Sequence, residues 1–246
     1  MKTKSFVRFI NRVNYLDVDI EFADIIKQST KSNMLNDRNG QKLFCKLDSA
    51  QHPKLATRAV TTRSRNHAAE HLQSTIHEAF IKHLYEDMTQ YFREIVHAAA
   101  QNGLVTQRLV GDHKVDFSAN DILTAGSWNN VVSMVADSVF RTLENEKSTL
   151  KLLDKLNKKL NLSVPQSVIV RAMPYLEIRH LLVHSNGVID KKYCDSYPNM
   201  QFCEGQQLKV DTDFINNAKS KIIELVKEFD DRIVQNGVVS QANMQP

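Results

Sequence analysis

The chain has 246 residues, of which 42% are hydrophobic and 24% are charged, and these proportions are those of a globular protein rather than a disordered one. Its net charge is +4, and it contains only 7 glycines and 5 prolines, whereas a β-sandwich or barrel would need more of both for its turns. The composition therefore argues against an all-β protein and predicts an all-α fold of long helices. No stretch of about 18 apolar residues occurs, so we expect neither a membrane-spanning helix nor a signal peptide.

The basic residues are concentrated in the first third of the chain. Residues 1–70 hold 13 lysines and arginines against 7 acidic residues, whereas residues 71–246 hold 19 against 21. Such an asymmetry is typical of a protein that contacts a polyanion such as RNA. The alternative interpretation is a solvated, mildly basic face.

The cysteines indicate a reducing compartment. Cys45, Cys194 and Cys203 are few, widely spaced and odd in number, and no CxxC pair occurs. This usage predicts a cytoplasmic protein without a disulfide framework or a zinc knuckle.

Residues 1–65 carry the weakest structural pattern. From Phe6 to Leu16 the apolar residues recur at helical spacing, and the stretch from Val18 to Ile26 either continues that helix or pairs with it. Residues 29–65 are polar, with few apolar anchors, and predict a long loop or arm. We therefore predict a basic N-terminal extension of mixed or irregular structure over residues 1–65.

From residue 66 onward the sequence predicts a helical bundle of about five helices. Residues 66–101 contain neither glycine nor proline, and their apolar positions recur every three or four residues, as in a long amphipathic helix. Asn102-Gly103 is a typical helix end. The helical domain is predicted to span residues 66–235, followed by a disordered tail over residues 236–246. The predicted helices cover residues 66–101, 128–143, 148–160, 163–184 and 214–233.

One of these helices has unusual boundaries. Ser163 followed by Pro165 predicts an N-cap and a first-turn proline. Pro174 is expected to kink or split the helix, and Asn186-Gly187 to end it. Residues 188–210 then predict an irregular connection with a small hairpin.

Any catalysis would have to use histidines, arginines and carboxylates, because the sequence has no glycine-rich phosphate loop and no GxSxG motif. His67, Glu70 and His71 form an HxxEH pattern, in which two histidines share a helix face and can bind zinc. No third ligand can be identified from the sequence. The alternative for this stretch is the polar start of a helix.

A second candidate is the pair Arg179 and His184. Histidine can take or give a proton at neutral pH, and a guanidinium can stabilise charge on a phosphate, so the two suffice for RNA cleavage. This chemistry needs no metal and no cofactor, because the 2′-hydroxyl of RNA is the nucleophile. Similar spacings occur at Arg65 and His71 and between residues 108 and 113. We favour Arg179 because it lies in the most apolar predicted helix, where an arginine is costly unless it is used or paired.

Helix geometry limits how this pair can act. Positions five apart on an ideal helix differ by about 140° in direction, so Arg179 and His184 do not lie on one stripe. The two side chains can converge only in a cleft at the helix end, or across a two-fold interface with a second subunit.

The stretch from Glu177 to Gly187, EIRHLLVHSNG, resembles the signature of the HEPN superfamily, in which an arginine is followed by a polar residue and, four to six residues on, by a histidine. The following residues, 188–193, resemble a stretch of uncharacterised bacterial HEPN proteins of the RiboL-PSP type. The resemblance covers roughly residues 66–235 and leaves residues 1–65 unexplained. It implies a HEPN-like helical bundle that forms a homodimer, with two arginine–histidine motifs in one composite cleft.

The resemblance also implies an activity and roles for individual residues. Many family members are metal-independent endoribonucleases of toxin–antitoxin and phage-defence systems, so RNA, an antitoxin and a defence-system component are the expected partners. By this resemblance Arg179 would bind the scissile phosphate, His184 would be the general acid or base, and His180 would orient the pair or the phosphate. Supporting roles would fall to three polar neighbours, which are Glu177, Ser185 and Asn186.

The resemblance leaves two alternatives open. Some family members are inactive and serve as RNA- or nucleotide-binding modules. In the other alternative the protein is a structural interaction protein, in which Arg179 and His184 are buried and paired with carboxylates such as Glu177. In one family subgroup a modified tyrosine lies two residues past the histidine, but this chain has Asn186 there. Regulation through that tyrosine is therefore not expected.

Overall fold

The computed structural model describes residues 1–32, 48, 50–56, 61–103, 110–111, 116–146 and 148–245. Over these residues the protein is an all-α helical bundle, as the composition predicts. None of the helices in these ranges is both long and apolar enough to cross a membrane. The helices are α1 (Lys4–Lys31), α2 (Pro53–Ala56), α3 (Thr62–Gln101), α4 (Ala119–Thr124), α5 (Trp128–Glu144), α6 (Thr149–Leu160), α7 (Gln166–His184), α8 (Lys191–Ser196) and α9 (Thr212–Gln235).

The chain divides into two compact units, and the first consists of Met1–Val13, Ile81–Leu208 and Asn216–Pro246. Its core contains a chain of buried aromatic rings from α1, α3 and α9. The ring centroids of Phe9 and Tyr91 lie 6.3 Å apart, those of Tyr91 and Phe92 5.1 Å, and those of Phe92 and Phe229 4.9 Å. Contacts of this kind stabilise beyond the area they bury.

Both termini belong to this unit, which corrects the prediction of a disordered tail over residues 236–246. Strands β1 (Lys2–Thr3) and β2 (Met244–Gln245) pair antiparallel, with Lys2 opposite Gln245. Val238 and Val239 are buried just after the end of α9. The tail is therefore ordered up to residue 245, because it buries apolar side chains and satisfies backbone groups through the strand pair.

A buried carboxylate fixes the N-terminal strand to α9. Asp230 is fully buried and accepts hydrogen bonds from the Thr3 hydroxyl at 2.5 Å, the Thr3 backbone N–H at 3.2 Å and the Tyr91 hydroxyl at 3.1 Å. Lys2 lies 4.0 Å away. Burial raises the pKa of Asp230 although these hydrogen bonds and Lys2 oppose the shift.

The second unit consists of Asn14–Phe80 and Lys209–Ile215, so its bounds do not coincide with the predicted extension over residues 1–65. α1 is a single helix of 28 residues, so the stretch from Val18 to Ile26 continues the helix. The predicted boundary between residues 65 and 66 falls inside α3. Most of the predicted arm over residues 29–65 lies outside the described residues.

Polar contacts join α1 to α3 within this second unit. The side chain of Gln73 is buried; it accepts a hydrogen bond from Lys27 at 2.6 Å and donates one to Asp24 at 3.1 Å. His77 is also buried, and its Nδ1 lies 2.7 Å from the backbone oxygen of Val210. Most buried polar groups are paired in this way, but the Nε2 of His77 has no hydrogen-bond partner among the described residues.

α7, the helix that carries the arginine–histidine motif, packs on α6 in the first unit. Its residues Ile169, Met173 and Leu176 are buried, as are four leucines of α6. Pro174 lies inside one continuous helix, so of the two predicted outcomes, a kink or a split, the split does not occur. The helix also begins later than predicted, with Pro165 at the N-cap rather than Ser163.

The predicted end of α7 at Asn186-Gly187 is confirmed. Both residues have left-handed backbone conformations, with φ values of 48° and 74°, and the Gly187 N–H donates to the Leu181 oxygen at 2.9 Å. The predicted small hairpin is also present, as an antiparallel bridge between Val188 and Gln207. Helix α8, which was not predicted, lies within this hairpin segment.

Substitution of Gly187 tests how tightly the end of α7 is held. We expect Gly187→Ala to lower the free energy of unfolding by more than the roughly 1–2 kcal/mol of a left-handed alanine, because its Cβ would lie 2.9 Å from Gln207 Nε2 and would displace that amide from the Asn186 oxygen, to which it donates at 2.7 Å. Gly205→Ala is the matched control, since Gly205 has a φ of 78° with nothing within 4 Å of an added Cβ. Urea denaturation measures both variants, and equal losses would show that the contact with Gln207 costs nothing.

Candidate active site at the end of helix α7

The last two turns of α7 place their residues on different sides of the helix. Ile178, Leu181 and Leu182 are buried and hold the helix against the core of the first unit. His180 and His184 are exposed, and Arg179 is half-buried. The polar residues therefore border the apolar face instead of entering the core, which is the less costly arrangement for charged groups.

The two histidines of the motif lie side by side. The ring centroids of His180 and His184 are 4.6 Å apart and the ring planes are tilted by 47°. This proximity follows from their spacing of four residues, which brings two side chains onto one face of a helix. Two imidazoles on an exposed face can exchange protons with a bound substrate.

Arg179 lines a cavity of about 150 Å³ between α7, α3 and α5, and His180 does not line this cavity. Its guanidinium carbon is 5.0 Å from the centroid of the Tyr85 ring, a cation–π contact. Arg93 and Glu144 also line this cavity and form an ion pair at 2.9 Å. The Nε of Arg179 is buried and has no hydrogen-bond partner among the described residues. A buried donor of this kind costs roughly 1–3 kcal/mol while it lacks an acceptor.

Within one chain, Arg179 and His180 line different cavities. No hydrogen bond joins Arg179 to His180 or His184 within the described residues. This agrees with the 140° separation expected from helix geometry. The alternative that Arg179 is buried and paired with Glu177 is not what the structure has, because Glu177 lines the cavity of His180.

The cavity beside His180 has a volume of about 230 Å³ and lies between α7, α8 and the start of α6. Its walls include the half-buried carboxylate of Glu177 and the half-buried ring of Tyr197. Burial and the neighbouring Glu177 carboxylate raise the pKa of Tyr197 to about 12. Burial also raises the pKa of Tyr193, whose hydroxyl donates to the Pro174 oxygen at 3.0 Å. Both phenols therefore stay protonated at neutral pH and can donate hydrogen bonds.

Ser185 and Asn186 shape the end of α7. The backbone N–H of Ser185 donates to the Leu181 oxygen at 2.9 Å, and the backbone oxygen of Asn186 accepts a bond from Gln207 at 2.7 Å. These bonds hold the backbone that immediately follows His184. A supporting role for Ser185 and Asn186 would therefore act through the position of the helix end.

The spacing at Arg65 and His71 is less suited to catalysis than that of Arg179 and His184. Arg65 is only 2% exposed, whereas His71 is exposed and its Nδ1 lies 3.3 Å from the Thr75 hydroxyl. The spacing between residues 108 and 113 lies outside the described residues. We therefore prefer Arg179 and His184 over Arg65 and His71, because Arg179 is less buried than Arg65.

The zinc interpretation of the HxxEH stretch has no further ligand to support it. His67 and His71 are both exposed on α3, and Glu70 pairs with Lys31 at 3.1 Å. No group of three or more metal-ligating side chains occurs among the described residues. The described residues therefore favour the alternative interpretation of this stretch, which is the polar start of a helix.

Four of the basic residues near the N-terminus pair with carboxylates on α3 and α9. The ion pairs are Lys2–Asp231 at 2.5 Å, Arg8–Glu94 at 2.5 Å, Arg12–Asp87 at 2.7 Å and Lys31–Glu70 at 3.1 Å. RNA binding by the N-terminal third stays a prediction.

Several residues near the motif were missed from the sequence. Tyr85, Thr89 and Arg93 follow one another at intervals of four along α3 and all line the cavity of Arg179. That interval was a usable signal, because polar side chains four apart share a helix face. Lys192 and Tyr197 gave no such signal, since only the hairpin segment folds them against α7.

No family model matches this chain, and no curated protein and no solved structure matches it either.

Proposed function

We propose that the protein is a metal-independent endoribonuclease whose active residues are Arg179, His184 and His180. The observation that carries this proposal is the buried Nε of Arg179, which has no acceptor among the described residues. A phosphate oxygen would satisfy this donor, and a guanidinium matches the geometry of phosphate. The exposed imidazoles of the same helix end supply the proton transfer that the reaction needs.

In the proposed reaction the RNA cleaves itself under acid–base catalysis. An imidazole accepts the proton of the 2′-hydroxyl, and the 2′-oxygen forms a bond to the neighbouring phosphorus. The bond from phosphorus to the 5′-oxygen of the next nucleotide breaks, and that oxygen takes a proton from an imidazolium. The products are a 2′,3′-cyclic phosphate and a 5′-hydroxyl. Arg179 would stabilise the negative charge that builds on the non-bridging oxygens.

The geometry of in-line attack favours a two-fold active site. The attacking and leaving oxygens lie on opposite sides of the phosphorus, so the base and the acid must also lie on opposite sides. His180 and His184 are only 4.6 Å apart and lie on one side of α7. We therefore propose a homodimer in which a second copy of the chain brings its own α7 to the other side of the phosphate.

The resemblance to HEPN proteins also guides the biological proposal. We propose that the protein is a cytoplasmic toxin or phage-defence effector, controlled by an antitoxin or another component of its defence system. A membrane is not part of this proposal. RNA is the proposed substrate, and the remaining free basic residues would attract its phosphates.

Incubation of the purified protein with total RNA in EDTA tests the activity directly. We expect RNA cleavage to continue in EDTA at the same rate, because no metal takes part in the proposed reaction. Cleavage products should carry 2′,3′-cyclic phosphate ends, which resist ligation to a 5′-phosphate until the ring is opened and the phosphate is removed. Cleavage that stops on chelation and returns with zinc would contradict the proposal and favour the site at His67 and His71.

A non-catalytic RNA- or nucleotide-binding module is the second candidate. It is favoured by the separate cavities of Arg179 and His180 within one chain. RNA that binds without being cut, over a range of RNA sequences and protein concentrations, would support this second function.

A further inference from the structure

The cavity beside His180 contains a carboxylate that has no hydrogen-bond or ion-pair partner among the described residues. Glu177 is half-buried, lines the cavity, and has no hydrogen bond or ion pair to any described residue. The second carboxylate of the cavity, Asp190, is occupied, because its Oδ1 accepts the Tyr193 backbone N–H at 2.7 Å and caps helix α8. Glu177 is therefore the carboxylate that is open to a ligand.

The cavity has the size and walls of a binding site for a single base. Its volume of about 230 Å³ is smaller than the roughly 300–1,000 Å³ of pockets that enclose whole drug-sized ligands. The ring of Tyr197 forms part of one wall and packs on Tyr193, with centroids 5.0 Å apart. Aromatic side chains held in this way are the usual stacking platforms for unpaired RNA bases.

We propose that this cavity binds a guanine base, with the Glu177 carboxylate accepting hydrogen bonds from N1–H and the 2-amino group. An ionised carboxylate only accepts hydrogen bonds, and its two oxygens suit two adjacent donors. Among the four RNA bases only guanine has two adjacent donors on its pairing edge; adenine and cytosine have one amino group beside an acceptor, and uracil has one N–H between two acceptors. The exposed ammonium of Lys192 at the cavity can contact the phosphate of the same nucleotide.

This inference rests on the proposed function, because the guanine would belong to the RNA whose phosphate lies near His180. His180 lines the cavity and contacts His184, so a base bound there would lie next to the imidazole pair. The cleavage sites in RNA should therefore adjoin a guanine. In this proposal Glu177 selects the guanine base, whereas Arg179 contacts only the phosphate.

Binding of mononucleotides to the full-length protein tests the cavity without any cleavage. We expect calorimetry to give an affinity for guanosine 3′-monophosphate about 5- to 150-fold higher than for the adenosine compound. The inosine compound, which lacks the 2-amino group, should bind more weakly than the guanosine compound. Glu177→Gln should abolish the preference for guanosine, because its amide replaces one acceptor with a donor.

The matched control is Glu204→Gln, since Glu204 is exposed and does not line the cavity. It should keep the full preference for guanosine, and both variants should keep the melting temperature of the unsubstituted protein. Equal affinities for guanosine and adenosine, or an unchanged preference in Glu177→Gln, would overturn the inference. Preferential binding of arginine amide would overturn it as well, because Glu177 would then serve a peptide ligand.

The same measurements separate this inference from the proposed endoribonuclease. Arg179→Ala should keep the ratio of the affinities for guanosine and adenosine 3′-monophosphate, because Arg179 lies in the other cavity and does not contact the base. Guanosine preference without any RNA cleavage would uphold the base site and contradict the nuclease. Cleavage in EDTA without guanosine preference would uphold the nuclease and contradict the base site.

Discussion

Arg179→Ala should reduce RNA cleavage by about 100- to 1,000-fold, the usual effect of removing a group that stabilises charge in the transition state. His184→Ala should reduce it by about 100- to 10,000-fold, because it removes a proton-transfer group. Folding should be little affected, since the cation–π contact of Arg179 with Tyr85 contributes only about 0.5–1 kcal/mol. Initial cleavage rates on a defined RNA, with melting temperatures measured in parallel, check both variants.

Arg171→Ala is the matched control for Arg179→Ala. Arg171 lies on the same helix two turns earlier, is exposed, and pairs with Glu224 at 2.5 Å on the surface. Its loss should leave the cleavage rate unchanged. Cleavage that persists in both Arg179→Ala and His184→Ala would remove the motif from the reaction.

A mixture of the two inactive variants tests whether the active site is shared between subunits. A mixed dimer of Arg179→Ala and His184→Ala contains the intact arginine of one subunit and the intact histidine of the other. If each site takes its arginine and its histidine from different subunits, the mixture should regain cleavage that neither variant has alone. A strictly monomeric protein by light scattering would contradict the composite site, and a dimer that recovers no cleavage would show that one site needs the arginine or the histidine of both subunits.

Asp230→Ala should lower the free energy of unfolding by roughly 3 kcal/mol, because it removes the acceptor of three buried or partly buried hydrogen bonds. The hydroxyls of Thr3 and Tyr91 would lose their partner inside the first unit, where water does not replace it easily. The pairing of β1 with β2 should weaken at the same time, since Thr3 belongs to β1. Urea denaturation measures the stability, and hydrogen exchange at residues 2–3 and 244–245 measures the strand pair.

Asp231→Ala provides the neighbouring control. Asp231 is 36% exposed in its side chain and pairs with the partly exposed Lys2, so its loss should cost about 1 kcal/mol or less. If both variants lost a similar free energy of unfolding, the burial of Asp230 would not add to the stability that its hydrogen bonds provide.

Much of the helical architecture was predictable because helices are encoded locally. The prediction of a helix over residues 128–143 compares with Trp128–Glu144 in the structure, and that over residues 148–160 with Thr149–Leu160. Apolar spacing, N-cap serines such as Ser127 and Ser148, and helix-ending residues such as Asn186 all lie within a few residues of the feature they specify. The all-α class follows from the same local signals.

The errors concern contacts between residues far apart in the chain. The tail over residues 236–245 has no strong pattern of its own, and it is ordered because Met244 pairs with Thr3 at the opposite end of the sequence. The sequence also did not decide that α1 continues to Lys31, because polar residues of its second half are held by partners on α3, such as Gln73. Local propensity is a weak guide wherever such distant packing decides the outcome.

For the candidate site, the sequence by itself determined which residue types are present and that Arg179 and His184 point in different directions from one helix. The tertiary structure alone decided what surrounds them: Tyr85 and Arg93 beside Arg179, and Glu177 and Tyr197 in the cavity of His180. The physical reason is that helix periodicity is set by neighbouring residues, whereas a cavity is formed where separate helices and the hairpin segment pack together. Such packing depends on side-chain shape across the whole first unit, which no local pattern specifies.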